Sequence, residues 1–208
     1  MKADDIQGLF DNNRKWAERV EREDPGFFAR LAHQQKPGYL WIGCADSRVP
    51  ANQIMGLPPG QVFVHRNVAN VVLETDINCM SVVDFAIRKL QIRHVIVCGH
   101  YGCAGVRAAI GDETEGVIDH WLSGIRALWH QHKDSLSSLD AAEAEARLCE
   151  LNVAQQVRNL CRTTVIRQAW RTGQALDVHG WIYGVGDGLL RELDLRIGSE
   201  EALAQADG

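Results

Sequence analysis

The chain has 208 residues, a formal net charge of −5, 46% hydrophobic residues and 24% charged ones, enough apolar material for one sizeable core and so for a single domain across 1–208. The acidic balance excludes a general attraction for nucleic acid or an anionic membrane surface. No apolar run approaches the roughly 20 residues of a membrane span, and Met1-Lys2-Ala3-Asp4-Asp5 lacks the basic-then-apolar pattern of a secretory leader, so the sequence reads as cytoplasmic.

In chain order, the polar, helix-prone stretch Asp4 to Arg22 carries Ile6, Leu9, Phe10, Trp16 and Val20, which suits a helix lying on a partner subunit. Pro25 is expected as the first-turn proline of a second helix, Phe27 to Gln34, and Lys36-Pro37-Gly38 as a turn. Tyr39 to Gly43 is expected as a buried strand, Pro50 to Met55 as a short helix and Gln61 to Arg66 as a second strand. Asp76 is placed to cap a helix bearing Cys79, Val82, Val83, Phe85, Ala86 and Leu90 at helical spacing. Arg93 to Cys98 is the third strand. Ala104 to Ile110, Val117 to Trp129 and Ala141 to Trp170 have helical patterns. Leu176 to Val185 is strand-like, Leu189 to Leu195 an edge strand, and Ser199 to Gly208 a short helix. Strands alternating with helices predict an α/β fold with a mainly parallel central β-sheet flanked by helices, preceded by a helical arm over residues 1–35.

Two motifs follow predicted strand ends. Cys44-Ala45-Asp46-Ser47-Arg48 comes after the first strand and His100-Tyr101-Gly102-Cys103 after the third. Sites in open α/β sheets form at the carboxyl ends of strands, and thiolate, imidazole and carboxylate are the ligand types zinc takes. The six cysteines, in a chain too long for a disulfide scaffold and read as intracellular, point to ligands or core thiols rather than bridges. If the chain stays extended after Gly43, Cys44, Asp46 and Arg48 share a side. Cys44, His100 and Cys103 then give two sulfurs and one nitrogen, leaving one position for water, as in catalytic zinc sites. Asp46 has two options. It can close the shell as a fourth ligand, or form a two-pronged ion pair with Arg48 and leave that position to water. Taken singly, Cys44 and Cys103 would be inert buried thiols, His100 a core histidine and Asp46–Arg48 a turn ion pair. A closed structural zinc and a thiol redox pair are the rival readings of the set, and no Cys-x-x-Cys supports the latter. Two thiolates neutralise Zn²⁺, so a bound water should ionise above the pKa of about 7 seen with three histidines, and activity should favour alkaline conditions.

These two motifs, with Asp24-Pro25-Gly26-Phe27-Phe28, Trp41-Ile42-Gly43, Val64-His65-Arg66-Asn67-Val68-Ala69-Asn70 and His179-Gly180-Trp181-Ile182-Tyr183, resemble the β-class carbonic anhydrases, and among them the bacterial, bicarbonate-regulated (type II) subgroup. The resemblance implies one zinc per chain, on Cys44, His100 and Cys103, with Asp46 as intermittent fourth ligand. It implies reversible hydration of carbon dioxide to bicarbonate and a proton by zinc-bound hydroxide, with Asp46 and Arg48 as catalytic dyad and a pH- and bicarbonate-dependent switch in which Asp46 ligates the zinc. Gln35, Phe63, Val68 and Phe85 match substrate-cleft positions, Phe85 standing where many members carry a tyrosine. Trp41, Arg66 and Tyr183 match residues that surround a non-catalytic, allosteric bicarbonate. The family assembles as homodimers or homotetramers with clefts at subunit interfaces. A non-catalytic zinc- or bicarbonate-binding protein on the same scaffold is the alternative.

Overall fold

A computed structural model describes residues 6–33, 36–111 and 115–207. Residues 1–36 and 37–208 form two compact units. In the first, α1 (Ile6–Glu23) and α2 (Phe27–Ala32) meet through Trp16 and Phe28, edge to face with ring centroids 5.6 Å apart. Pro25 does not open α2. Gly26, at φ 78°, caps it instead, because that left-handed turn is one glycine adopts without strain.

The second unit runs β1 (Tyr39–Cys44), α3 (Ala51–Ile54), β2 (Val62–Asn67), α4 (Ile77–Asp84), β3 (His94–His100), α5 (Ala104–Ile110), α6 (Val117–Gln131), α7 (Lys133–Leu136), α8 (Ala141–Arg162), α9 (Thr164–Arg171), β4 (Asp177–Tyr183), β5 (Leu190–Ile197) and α10 (Glu200–Asp207). The strand order is β2-β1-β3-β4-β5. The first four strands are parallel and β5 is antiparallel to β4, which is the expected fold class. Three expectations are corrected. Asp76 caps α4 as foreseen, its carboxylate accepting from Asn78 N–H at 3.1 Å, but the helix widens into a π turn over Phe85–Lys89. The pattern from Ala141 to Trp170 breaks at Thr163, whose extended backbone (ψ 148°) separates α8 from α9. Lys133–Leu136 adds a short helix.

The two faces of the sheet bury different sets. Leu40, Ile42 and Cys44 of β1 join Val95, Val97, Val178 and Ile182 in the larger core, covered by Leu148, Val153, Val157 and Leu160 of α8. Trp41, Ile96 and Cys98 face the other way into a smaller cluster with Val49 and Ala51. This is the strand period of two applied to strands apolar on both sides. A capping box starts α8. Asp140 accepts from Glu143 N–H at 2.8 Å and Glu143 accepts from Asp140 N–H at 3.4 Å.

Polar side chains on α8, buried at Asn152 and Gln156 and half-buried at Asn159, hold the segment after β2. Asn152 donates to the Ala69 carbonyl at 3.0 Å, Gln156 accepts from Val72 N–H at 2.9 Å, and Asn159 donates to the Val72 carbonyl at 3.1 Å. Ala69 and Asn70 are both left-handed, at φ 62° and 48°, a conformation that costs free energy in non-glycine residues. The α8 amides supply the restraint that keeps it. Gly105 lets α5 approach this turn. A Cβ there would meet Val68 Cγ1 at 2.9 Å and Ala69 Cβ at 3.1 Å.

Candidate metal centre

Register brings the two motifs together. Gly43 pairs with Cys98 and Cys44 with Asn67, so β1 and β3 end side by side at the carboxyl edge, and His100 is the last residue of β3. Cys103 then begins α5 as its N-cap residue. Cys44, His100 and Cys103 are 5%, 1% and 2% exposed, and their ligand atoms lie within 4.8 Å of one another. The strand-end geometry differs in detail from a shared side on one extended segment. Cys44 sits on the larger-core side, and the chain turns after it, with Val49 N–H bonding back to the Asp46 carbonyl at 3.0 Å.

The sulfurs of Cys44 and Cys103 are 3.9 Å apart. That is far beyond a disulfide bond of about 2.05 Å and close to the ~3.8 Å edge of a tetrahedron with metal–sulfur bonds of about 2.3 Å. His100 Nδ1 lies 3.0 Å from the Tyr101 carbonyl, which can only accept, so Nδ1 carries the proton and Nε2 the lone pair. That Nε2 is buried with no hydrogen-bond partner. A buried polar atom without a partner is costly, and here it faces two thiols. The donor set and the orphaned nitrogen both fit a zinc ion.

Electrostatics separates this pair of cysteines from the others. The hydrogen bond from Cys103 holds the Cys44 thiol down to about 4 against burial, helped by His100 and by the backbone N–H groups of Asp46 and Ala69. Cys103 moves the opposite way because Cys44 takes the charge first. One proton is shared between the two, so they titrate as a pair. Burial pulls His100 down, but contact with the Cys44 thiolate outweighs it and raises the imidazole. Cys79, Cys149 and Cys161 are pushed up to about 12 by burial, and Cys98 is raised by the same cause. All six cysteines are free.

Asp46 is turned toward Arg48. Its Oδ1 accepts from Arg48 Nε and from Arg48 N–H, each at 2.9 Å, and its Oδ2 from Nη2 at 2.6 Å. The fork holds the carboxyl well below the usual range, so it is ionised and accepts only. Asp46 Oδ2 is 3.7 Å from His100 Nε2. Arg48 Nη2 also donates to the Gly102 carbonyl at 3.3 Å, tying the two motifs together.

The remaining expected residues fall into four places. Trp41 and Tyr183 pack in the smaller apolar cluster, with the Trp41 indole N–H buried and unpartnered. Arg66 has its guanidinium on the metal loop, donating from Nε to the Cys44 carbonyl at 2.8 Å and from Nη2 to the Asp46 carbonyl. Phe63 and Phe85 stack with centroids 5.9 Å apart. Phe63 pairs with Leu40, four residues along the strand from Cys44 and so about 13 Å away. Val68 is 39% exposed, and its carbonyl accepts from the Trp121 indole at 2.8 Å. Gln35 lies outside the described residues.

A support behind His100 was not foreseen. Tyr101, whose carbonyl holds the imidazole, donates its hydroxyl to Glu150 at 2.7 Å, and Glu150 is held by Arg147 at 2.8 Å. Glu150 comes from α8, and no local spacing marks it.

The carbonic anhydrase family model matches residues 39–190. A carbonic anhydrase of Emericella nidulans is 45% identical over 188 residues, covering 90% of this chain and 82% of that protein. A Coccomyxa β-carbonic anhydrase, solved with acetazolamide, superposes with a TM-score of 0.93 at 40% identity over 98% of this chain and 92% of that one. A tetrameric β-carbonic anhydrase of the ascomycete Sordaria macrospora gives 0.89 at 37% identity over 92% and 98%. The two named fungi do not support the expected placing among bacterial members, and the type II assignment does not follow from these likenesses. By family match, identity and fold together, the chain belongs to the β-class carbonic anhydrase family of enzymes.

Proposed function

We propose that the protein catalyses the reversible hydration of carbon dioxide, with one zinc held by Cys44, His100 and Cys103. The observation that carries this is the buried, unpartnered His100 Nε2 facing two sulfurs at ligand spacing. Zinc bound at such a centre would supply Lewis acidity, which lowers the pKa of a water molecule it holds.

The chain's own residues do the rest. Asp46, ionised and acceptor-only, takes a hydrogen bond from a ligand that carries a proton and rejects one that does not. Arg48 fixes the carboxylate by its fork, so the acceptor is oriented before the reaction begins. His100 is kept in one tautomer by the Tyr101 carbonyl. Substrate is small and uncharged, so apolar walls such as Val68 select it better than charged groups would.

The finer readings rest on the same geometry. A small rotation of Asp46 away from Arg48 would carry Oδ2, already 3.7 Å from His100 Nε2, to the fourth ligand position and close the site. Arg66 links that switch to a bicarbonate near Trp41 and Tyr183. An anion that draws its guanidinium away would release the Cys44 and Asp46 carbonyls it now holds. The relative solved as a tetramer and the exposed Ile6, Leu9 and Phe10 of α1 support a homo-oligomer in which the arm lies on a partner, and the family resemblance assigns Phe63 and Phe85 to a cleft at the subunit interface and Gln35 to substrate. No described helix is long and apolar enough to cross a membrane.

Stopped-flow hydration of carbon dioxide from pH 7 to 9 tests the activity. A rate that rises toward alkaline pH is expected from zinc-loaded protein, and zinc-loaded protein with no rate above buffer would leave only a binding role. Loss of bicarbonate inhibition in Trp41→Ala and Arg66→Ala is expected. Unaltered inhibition in both would dispose of the regulatory site.

A further inference from the structure

A second group of ligand-type side chains lies at the opposite end of the sheet. His94 begins β3, Asp177 begins β4, and His179 follows two residues later. His94 pairs with Asp177 and Ile96 with His179 in the parallel ladder, so the three side chains share one face across two adjacent strands. Their ligand atoms lie within 4.8 Å of one another. Six residue steps along β3 separate His94 from His100, about 20 Å of strand, so this group is distinct from the cysteine centre.

We propose that His94, His179 and Asp177 form a second site for a divalent transition-metal ion of the zinc or nickel type. His94 Nδ1 and His179 Nε2 face each other at 3.2 Å. Two imidazoles on one ion at 2.0–2.1 Å, in tetrahedral array, stand about 3.3 Å apart, so the nitrogens are already at ligand separation. Asp177 Oδ2 is 4.0 Å from the same His94 nitrogen and closes the third corner by a shift under about 1 Å. Arg196 engages Asp177 through Nε on Oδ1 at 3.1 Å and Nη2 on Oδ2 at 2.9 Å. A carboxylate has about four lone-pair sites, so Oδ2 keeps one for the ion, and Arg196 then acts as the partner that orients the ligating carboxylate.

The outer nitrogens complete the pattern. With the ion on His179 Nε2, the proton sits on Nδ1, and Glu192 Oε1 lies 4.0 Å from that atom. A carboxylate behind the far nitrogen of a metal-bound histidine is the recurrent support of such sites. The rings are fixed by their neighbours: His94 stacks on Tyr39 at 6.0 Å and His179 lies beside Trp181 at 6.1 Å. The His94 side chain is 42% exposed and that of His179 13%, so solvent reaches the remaining coordination positions. The third such grouping, His65, Asp76 and Cys79, lacks this access because His65 and Cys79 are buried.

Equilibrium dialysis of the full chain against micromolar Zn²⁺, and separately Ni²⁺, with elemental analysis reads the stoichiometry directly. Two zinc ions per chain are expected for the native sequence and one for His179→Gln and for His94→Gln, with Ni²⁺ uptake weakened at least ~10-fold in both. Cys44→Ser is expected to keep one ion, on the histidine site. A retained cysteine-site zinc reports that a histidine variant is folded. If His179→Gln loses both ions, His94→Gln, at the more exposed position, decides. One ion in the native chain, or two in a folded histidine variant, would overturn the proposal.

Discussion

The parallel sheet carries ligand-type side chains at both ends, β3 contributing His100 to one and His94 to the other, and the two ends differ in how those groups are satisfied. At the carboxyl end, Cys44, His100 and Cys103 are buried, and the imidazole nitrogen they share has no partner. At the amino end, His94 and His179 bond to each other, Asp177 is forked by Arg196, and water reaches the group. The first arrangement is incomplete without an ion, because an unpartnered buried nitrogen costs free energy that coordination recovers. The second is self-satisfied, so an ion there competes with existing hydrogen bonds. Tight, structure-determining binding is therefore expected at one end and weaker, exchangeable binding at the other.

The largest effect that sharpens this contrast is loss of a ligand. Cys44→Ser or His100→Ala is expected to abolish zinc retention at the carboxyl end and to cut the hydration rate by far more than the ~10–100-fold typical of supporting residues. Retention of zinc and rate in both variants would erase the distinction between the two ends. Next, Asp46→Asn keeps the shape but removes the ionised acceptor, with an expected loss of about 10²–10⁴ in rate while zinc stays bound. An unchanged rate and pH profile would remove Asp46 from the mechanism. Glu150→Gln, read by rate and zinc affinity, should cost about 10-fold through the Tyr101 support of His100, and no change in either would make that contact purely structural.

Gly105→Ala tests the packing that holds the carboxyl end. The added methyl must displace Val68 and Ala69, with an expected loss of about 1–3 kcal/mol in denaturant unfolding, and a full-stability variant would show the left-handed turn to be adaptable. The smallest effect concerns pH. Burial lowers His65 and His179 below the usual histidine value. A folded-state pKa below the unfolded one means the unfolded chain binds more protons. The stability they contribute is therefore present above about pH 6.5 and is lost as pH falls. His65→Gln should flatten that decline in unfolding free energy between pH 6.5 and 5, and a steeper decline would reverse the assigned sign.

The strands and the zinc-type ligand set were readable because their signals are local. Val95-Ile96-Val97 reads as a buried strand, and His100 and Cys103 stand a turn apart just past its end. The parallel order followed from alternation of element types. What was hidden depends on distance through the fold. Arg66 lies on β2, and only the β1–β2 register reveals that it holds the carbonyls of residues 44 and 46. Glu150 reaches the site from the middle of α8. The break at Thr163 carries no proline or glycine, so helical periodicity runs through it. Gly26 displaced Pro25 at the start of α2 because the cap needed positive φ.

The central claim is a zinc held by sulfur, nitrogen and sulfur at the carboxyl end of β1 and β3. Zinc X-ray absorption on protein carrying one ion per chain measures that shell directly. Two sulfurs near 2.3 Å, with the remaining scatterers nitrogen or oxygen near 2.0–2.2 Å, are the expected result. A shell without sulfur, or with four, would contradict it.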